Sequence, residues 1–121
     1  MEKIKLPHIH NDKTLKLLER LPKNSTFDMI SDTFALISDS SRVKILWMLC
    51  HTEECVVNIA TVAEMSPPAV SHHLRILKDA GILAYRRDGK EAYYTLADTE
   101  KARFIHKIVD AVFDIHCSDK Y

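Results

Sequence analysis

The sequence predicts a mostly α-helical fold with one β-hairpin, and three observations predict it. Only two glycines, Gly81 and Gly89, occur in 121 residues. The apolar residues recur largely at three- and four-residue spacing, the period of a helix with one buried face. The exception is Leu83 to Leu96, LAYRRDGKEAYYTL, two short Tyr- and Thr-rich runs around Asp88-Gly89. That dipeptide tolerates the positive φ angles of a tight hairpin turn.

Taken in order, residues 1–24 read as an N-terminal extension with one short helical stretch, Thr14 to Leu21, and residues 25–121 as a single domain. Phe27 to Ile37 and Ser40 to Cys50 read as amphipathic helices; Asp39-Ser40-Ser41 caps the second, which carries Val43, Ile45, Leu46 and Leu49 inward. A third helix spans about Cys55 to Ala63. In MSPPAVSHHLRILKDAGI, Ser66 suits an N-cap, Pro67 the first helical position, and Gly81 the left-handed residue that ends a helix. Val70, Leu74, Leu77 and Ile82 then face inward, which leaves Ser71, His72, Arg75 and Lys78 wholly or partly outward. A last helix, about Asp98 to His116, carries an apolar stripe of Ile105, Ile108, Val109, Val112 and Ile115, with no later segment to cover it.

At 46% hydrophobic residues the chain holds enough apolar side chain for a core that needs neither disulfide nor metal. No segment has the roughly 18 to 20 apolar residues of a membrane span, and MEKIKLPHIHND lacks a secretion signal, so the expectation is a cytoplasmic protein without a membrane partner. Cys50, Cys55 and Cys117 form no paired framework and read as free thiols or ligands. The formal net charge of +0 argues against nucleic-acid binding until its distribution is considered: Ser66 to Lys90 holds five basic and two acidic residues, a local +3.

A short helix, a tight turn, a sharply capped second helix and a hairpin with a basic tip follow the order of a winged helix-turn-helix. The second helix fits the major groove, and the hairpin lays cations beside the backbone or minor groove. The expected DNA-binding residues are Ser66, Pro68, Ser71 and His72 toward the groove, Arg75 toward phosphate or base, and Arg86, Arg87 and Lys90 in the wing. The simpler alternative is a solvated helix beside a charged surface hairpin.

The segments SDSSRVKILWMLC and ECVVNIATVAEMSPPAVSHHLRILKDAGILAYRRDGKEAYYTL resemble the ArsR/SmtB family of bacterial metal-responsive repressors, over roughly Phe27 to His116. The resemblance implies a sequence-specific repressor, a homodimer joined through its first and last helices, which binds an inverted-repeat operator in double-stranded DNA and leaves it when an inducer binds. A two-fold partner would cover Ile105, Ile108, Val109 and Val112. Pro67-Pro68 departs from the polar residues usual in the family and leaves the operator sequence open. His72 and His73 lie about 100° apart on the helix, so one is expected to meet DNA and the other to pack.

The resemblance also implies two regions for a divalent metal such as zinc. One pairs the N-terminal segment with a CVC motif, which here reads Cys55-Val56-Val57-Asn58; His8, His10 and Cys55 remain as an N₂S set. The other lies on the last helix, where this chain offers Asp98 and Glu100, then Ala111 and Asp114, with both family histidines missing. His106, Asp110 and Asp114 follow at four-residue intervals on one helical face, with Cys117 close to the same line. A shifted site would use His106 and Asp110 with groups from the partner helix, since these four cannot all reach one ion, and His116 with Cys117 is a weaker option. Both regions also read without metal, as a tail beside a buried cysteine and as an ordinary polar face.

Competing functions keep the DNA binding but replace metal with oxidation of Cys50, Cys55 or Cys117, or with no inducer. Another class, a winged-helix protein-interaction module, would not need Arg86, Arg87 and Lys90. An enzyme is not expected: the sequence has no phosphate-binding glycine loop, nucleophile elbow or His-Glu-x-x-His motif.

Overall fold

The computed structural model describes residues 4–116, and side chains as far as Asp114. It contains helices α1 (Asp12–Glu19), α2 (Asn24–Leu36), α3 (Ser40–Leu49), α4 (Val56–Ala63), α5 (Pro67–Asp79) and α6 (Glu100–His116). Three strands, β1 (Glu54–Cys55), β2 (Leu83–Asp88) and β3 (Glu91–Leu96), complete it. The chain divides into two compact units, Met1–Phe34 and Ala35–Tyr121.

In the first unit, Asn11 caps α1 by accepting from the Thr14 amide (3.1 Å), as a short polar N-cap should. Neither α1 nor α2 has a buried residue, and Phe27, Met29, Ile30 and Phe34 of α2 are all exposed.

The second unit has one core. Ile45, Leu46 and Leu49 of α3 meet Ile59 and Ala60 of α4, Val70, Leu74 and Leu77 of α5, Ile82 and Leu83 at the start of the hairpin, and Ile105 and Val109 of α6. Caps set its helix ends. Asp39 accepts from the Ser41 and Arg42 amides (2.8 and 3.2 Å), and these donors hold its carboxyl below the usual carboxylate range. Ser66 accepts from the Ala69 amide (3.3 Å) with Pro67 at the first helical position. The end of α5 is a Schellman motif: Ile82 N–H donates to the Leu77 carbonyl (3.0 Å) and Gly81 N–H to that of Lys78 (2.9 Å), with Gly81 at φ 81°. The same pattern ends α4 with Glu64 in the left-handed position at φ 57°.

The sheet order is β1-β3-β2, all antiparallel. The two-residue β1 was not expected; Glu54 and Cys55 pair with Tyr94 and Tyr93. The hairpin turn also differs from expectation. Asp88 and Glu91 close it, so its central residues are Gly89 and Lys90, and only Gly89 has positive φ (63°). A glycine at the first central position is what a type II′ turn requires.

The apolar stripe on α6 needs correction. Ile105 is fully buried and Val109 5% exposed within the single chain, where α3 covers them, so they are core residues and not an open seam. Periodicity identifies an apolar face but not what covers it. Ile108 is half-buried, and Phe104 and Val112 are exposed; the Ile115, His116 and Cys117 side chains lie outside the described residues.

Candidate nucleic-acid interface

The N-terminal end of α5 presents Ser66, Pro67, Pro68 and His72 to solvent, with Ser71 half-buried, and Arg75 and Lys78 are exposed farther along. The two neighbouring histidines differ in setting: His72 is exposed, whereas half-buried His73 accepts at Nδ1 from Arg42 Nε of α3 (3.1 Å). That bond crosses from α5 to α3 and fixes the rotation of α5 together with the buried Val70, Leu74 and Leu77.

Alternation along β2 sorts the wing's cations. Tyr85 and Arg87 share the face on which the Tyr85 ring meets Tyr94 (5.2 Å) and lies beneath the Lys78 ammonium of α5 (5.6 Å). Arg86 points to the other face. Its guanidinium grips Glu53 through two bonds (2.9 and 2.6 Å) and covers the Tyr93 ring at 4.5 Å. Arg86 is therefore tied to the loop before β1 although its side chain stays 51% exposed, and Arg87 and Lys90 are exposed beside it at the hairpin end. The Arg86 bond draws the Glu53 carboxyl below its ordinary range, and Glu53 in turn raises Arg86. A bond from Thr95 Oγ1 to the Thr52 carbonyl (3.3 Å) holds the same loop to β3.

The metal candidates are distributed unevenly. His8 and His10 stack at 5.8 Å in the first unit, whereas Cys55 is buried in the second. Asp98 accepts from Arg103 (2.6 Å) and Glu100 is exposed; among the described residues neither joins a group of ligand atoms, and nor does Asp114. His106 and Asp110 do come together, with a third residue that sequence reasoning missed. His51, just after α3, places its Nε2 3.5 Å from Asp110 Oδ1, and His106 Nε2 lies 3.1 Å from Asp110 Oδ2. No local motif marks His51; only the packing of α3 against α6 brings it there. Nearby, burial and the Asp110 charge push the Cys50 thiol up to about 11, so at neutral pH it is protonated and a weak nucleophile.

A capped helix with an exposed polar end, backed by a helix–turn–helix core and flanked by a cationic hairpin, defines a winged helix-turn-helix DNA-binding protein. The chain belongs to the arsR family of bacterial regulatory proteins: residues 39–85 match that family. It is 39% identical over 101 residues to the cadmium resistance transcriptional regulatory protein CadC homolog of Staphylococcus aureus, spanning 83% of each chain. To the transcriptional repressor SmtB homolog of Synechocystis it is 29% identical, over 86% of this chain and 79% of that one. Among solved structures it is similar to the homodimeric winged helix-turn-helix domain Mb0332 of Mycobacterium bovis (TM-score 0.64, 26% identity, 84% of this chain and 95% of that one). HlyU of Vibrio cholerae is comparable (TM-score 0.65, 26% identity, 81% and 100%). The chain is thus a DNA-binding transcriptional repressor by family and fold, not an enzyme.

Proposed function

We propose that two copies of this chain form a repressor that binds an inverted-repeat operator and releases it when a divalent metal binds. Ser66, Pro68, Ser71 and His72 meet base edges, Arg75 meets phosphate or base, and Arg87 and Lys90 grip the neighbouring backbone. Arg86 supports the wing from behind through Glu53. The observation that carries the reading is that α5 buries Val70, Leu74 and Leu77 while its polar start stays exposed, and that Lys78 of the same helix stands over the Tyr85 ring of the hairpin (5.6 Å).

The dimer is supported by exposed Phe27, Met29, Ile30 and Phe34 on α2 and by Phe104 and Val112 on α6, with half-buried Ile108. Exposed apolar side chains in such numbers on two helices favour burial against a second copy. Metal release is supported by the cadmium-resistance role in the name of the Staphylococcus aureus relative and by the His51, His106 and Asp110 cluster. Oxidation of Cys50 is the weaker route, given its raised thiol.

Fluorescence titrations of the protein's own promoter against random DNA test the reading. Wild type should prefer the promoter by about 10³-fold or more. Ser71→Ala with His72→Ala should cut that preference by about 10-fold or more while changing random-DNA affinity little. Equal affinity of wild type for both DNAs would refute the operator reading.

A further inference from the structure

We propose that His51, His106 and Asp110 form a divalent-cation site contained within one chain, which bolts the end of α3 to the middle of α6. The ligand atoms, one from each residue, all lie within 4.8 Å of one another. His106 Nε2 and Asp110 Oδ2 are 3.1 Å apart, His51 Nε2 and Asp110 Oδ1 3.5 Å, and the two imidazoles meet edge to face at 5.5 Å. Metal–nitrogen distances of about 2.0–2.1 Å put the ligands of a tetrahedral ion about 3.3 Å apart, so a small adjustment admits the ion.

The scaffold holds these groups before any ion arrives. His106 and Asp110 are one helical turn apart on α6, and each follows a core residue, Ile105 and Val109, that fixes the rotation of the helix. His51 follows the last turn of α3, where its amide donates to the Met48 carbonyl (3.1 Å), and Leu49 two residues earlier is fully buried. Side-chain exposures of 34%, 35% and 42% for His51, His106 and Asp110 leave the cluster open to solvent on one side. An ion can enter there, and water can complete a four-coordinate shell.

Two imidazole nitrogens and one carboxylate oxygen select a borderline ion such as Zn²⁺ or Co²⁺ over Mg²⁺ or Ca²⁺, which favour oxygen shells, and over ions that demand thiolates. A filled site would link α3, which shares its core with α4 and α5, to α6, which bears the exposed Phe104 and Val112. Its effect on DNA rests on the repressor reading above, whereas metal binding by itself does not.

The test uses the full chain and Co²⁺, whose tetrahedral complexes absorb strongly in the visible, followed by displacement with Zn²⁺. Wild type should bind one ion per chain and develop the tetrahedral spectrum, and Zn²⁺ should raise its melting temperature. Asp110→Asn, which keeps the side-chain shape, and His51→Ala should each lose the spectrum and the thermal shift while the metal-free proteins keep their helical circular dichroism. Operator affinity of wild type should fall about 5- to 150-fold on Zn²⁺ addition. A wild type that binds neither ion tighter than about 10 µM, or an unchanged spectrum in both variants, overturns the site. A wild type that shows the spectrum yet binds no promoter would confirm the site and refute the repressor reading instead.

Discussion

Arg86 shows how a single contact divides similar residues between roles. Adjacent arginines at 86 and 87 look alike in sequence, but strand alternation sends one to Glu53 and the other to the face shared with Tyr85. The Glu53 carboxyl is held below its ordinary pKa by Arg86, so whatever the pair contributes is present above the unfolded value of about 4.5. It is lost as pH falls through the lower folded value. The Arg86 Nε proton should therefore keep its hydrogen-bonded NMR shift on acidification to about pH 4.5 and lose it only below; loss near pH 6 would mean that the pair does not form. The reason Arg86 could not be sorted from sequence is that Glu53 lies 33 residues away. His51 was hidden for the same reason, since its partners are on α6, whereas His106 and Asp110 were visible as neighbours four apart.

At the scale of elements, local chemistry was legible and long-range pairing was not. The limits of α5 follow from Ser66, Pro67 and Gly81, each acting within a few residues, and they were read correctly. Strand β1 was missed because its two residues are ordered only by pairing with Tyr93 and Tyr94. A tie between α5 and α6 was missed too: Thr99 Oγ1 donates to the Gly81 carbonyl (2.7 Å) and accepts from the Ala102 amide (3.0 Å), capping α6 onto the end of α5. In the hairpin, Gly89 holds φ 63° with open space where a Cβ would stand, so only backbone strain opposes a side chain. Gly89→Ala should cost about 1 kcal/mol, the left-handed penalty less the gain from a stiffer unfolded chain. Chemical denaturation measures it, and a stabilised variant would contradict the turn assignment.

For the whole molecule, a formal charge of +0 is compatible with DNA binding because the segment from Ser66 to Lys90 carries a local excess of +3. Exposed Arg75, Lys78, Arg87 and Lys90 accompany α5 and the wing, while acids elsewhere are partly neutralised, as in Arg103 with Asp98. The apolar face of α6 serves two purposes in turn, Ile105 and Val109 in the core and Val112 outside it. Sequence periodicity merged the two. The most direct test of the DNA-binding account is operator affinity as a function of salt for wild type and for Arg87→Ala with Lys90→Ala. Loss of the two wing contacts in each chain should weaken binding to operator and random DNA alike and flatten log affinity against log salt by about one unit per lost phosphate contact. Unchanged affinity and an unchanged slope in the double variant would contradict it.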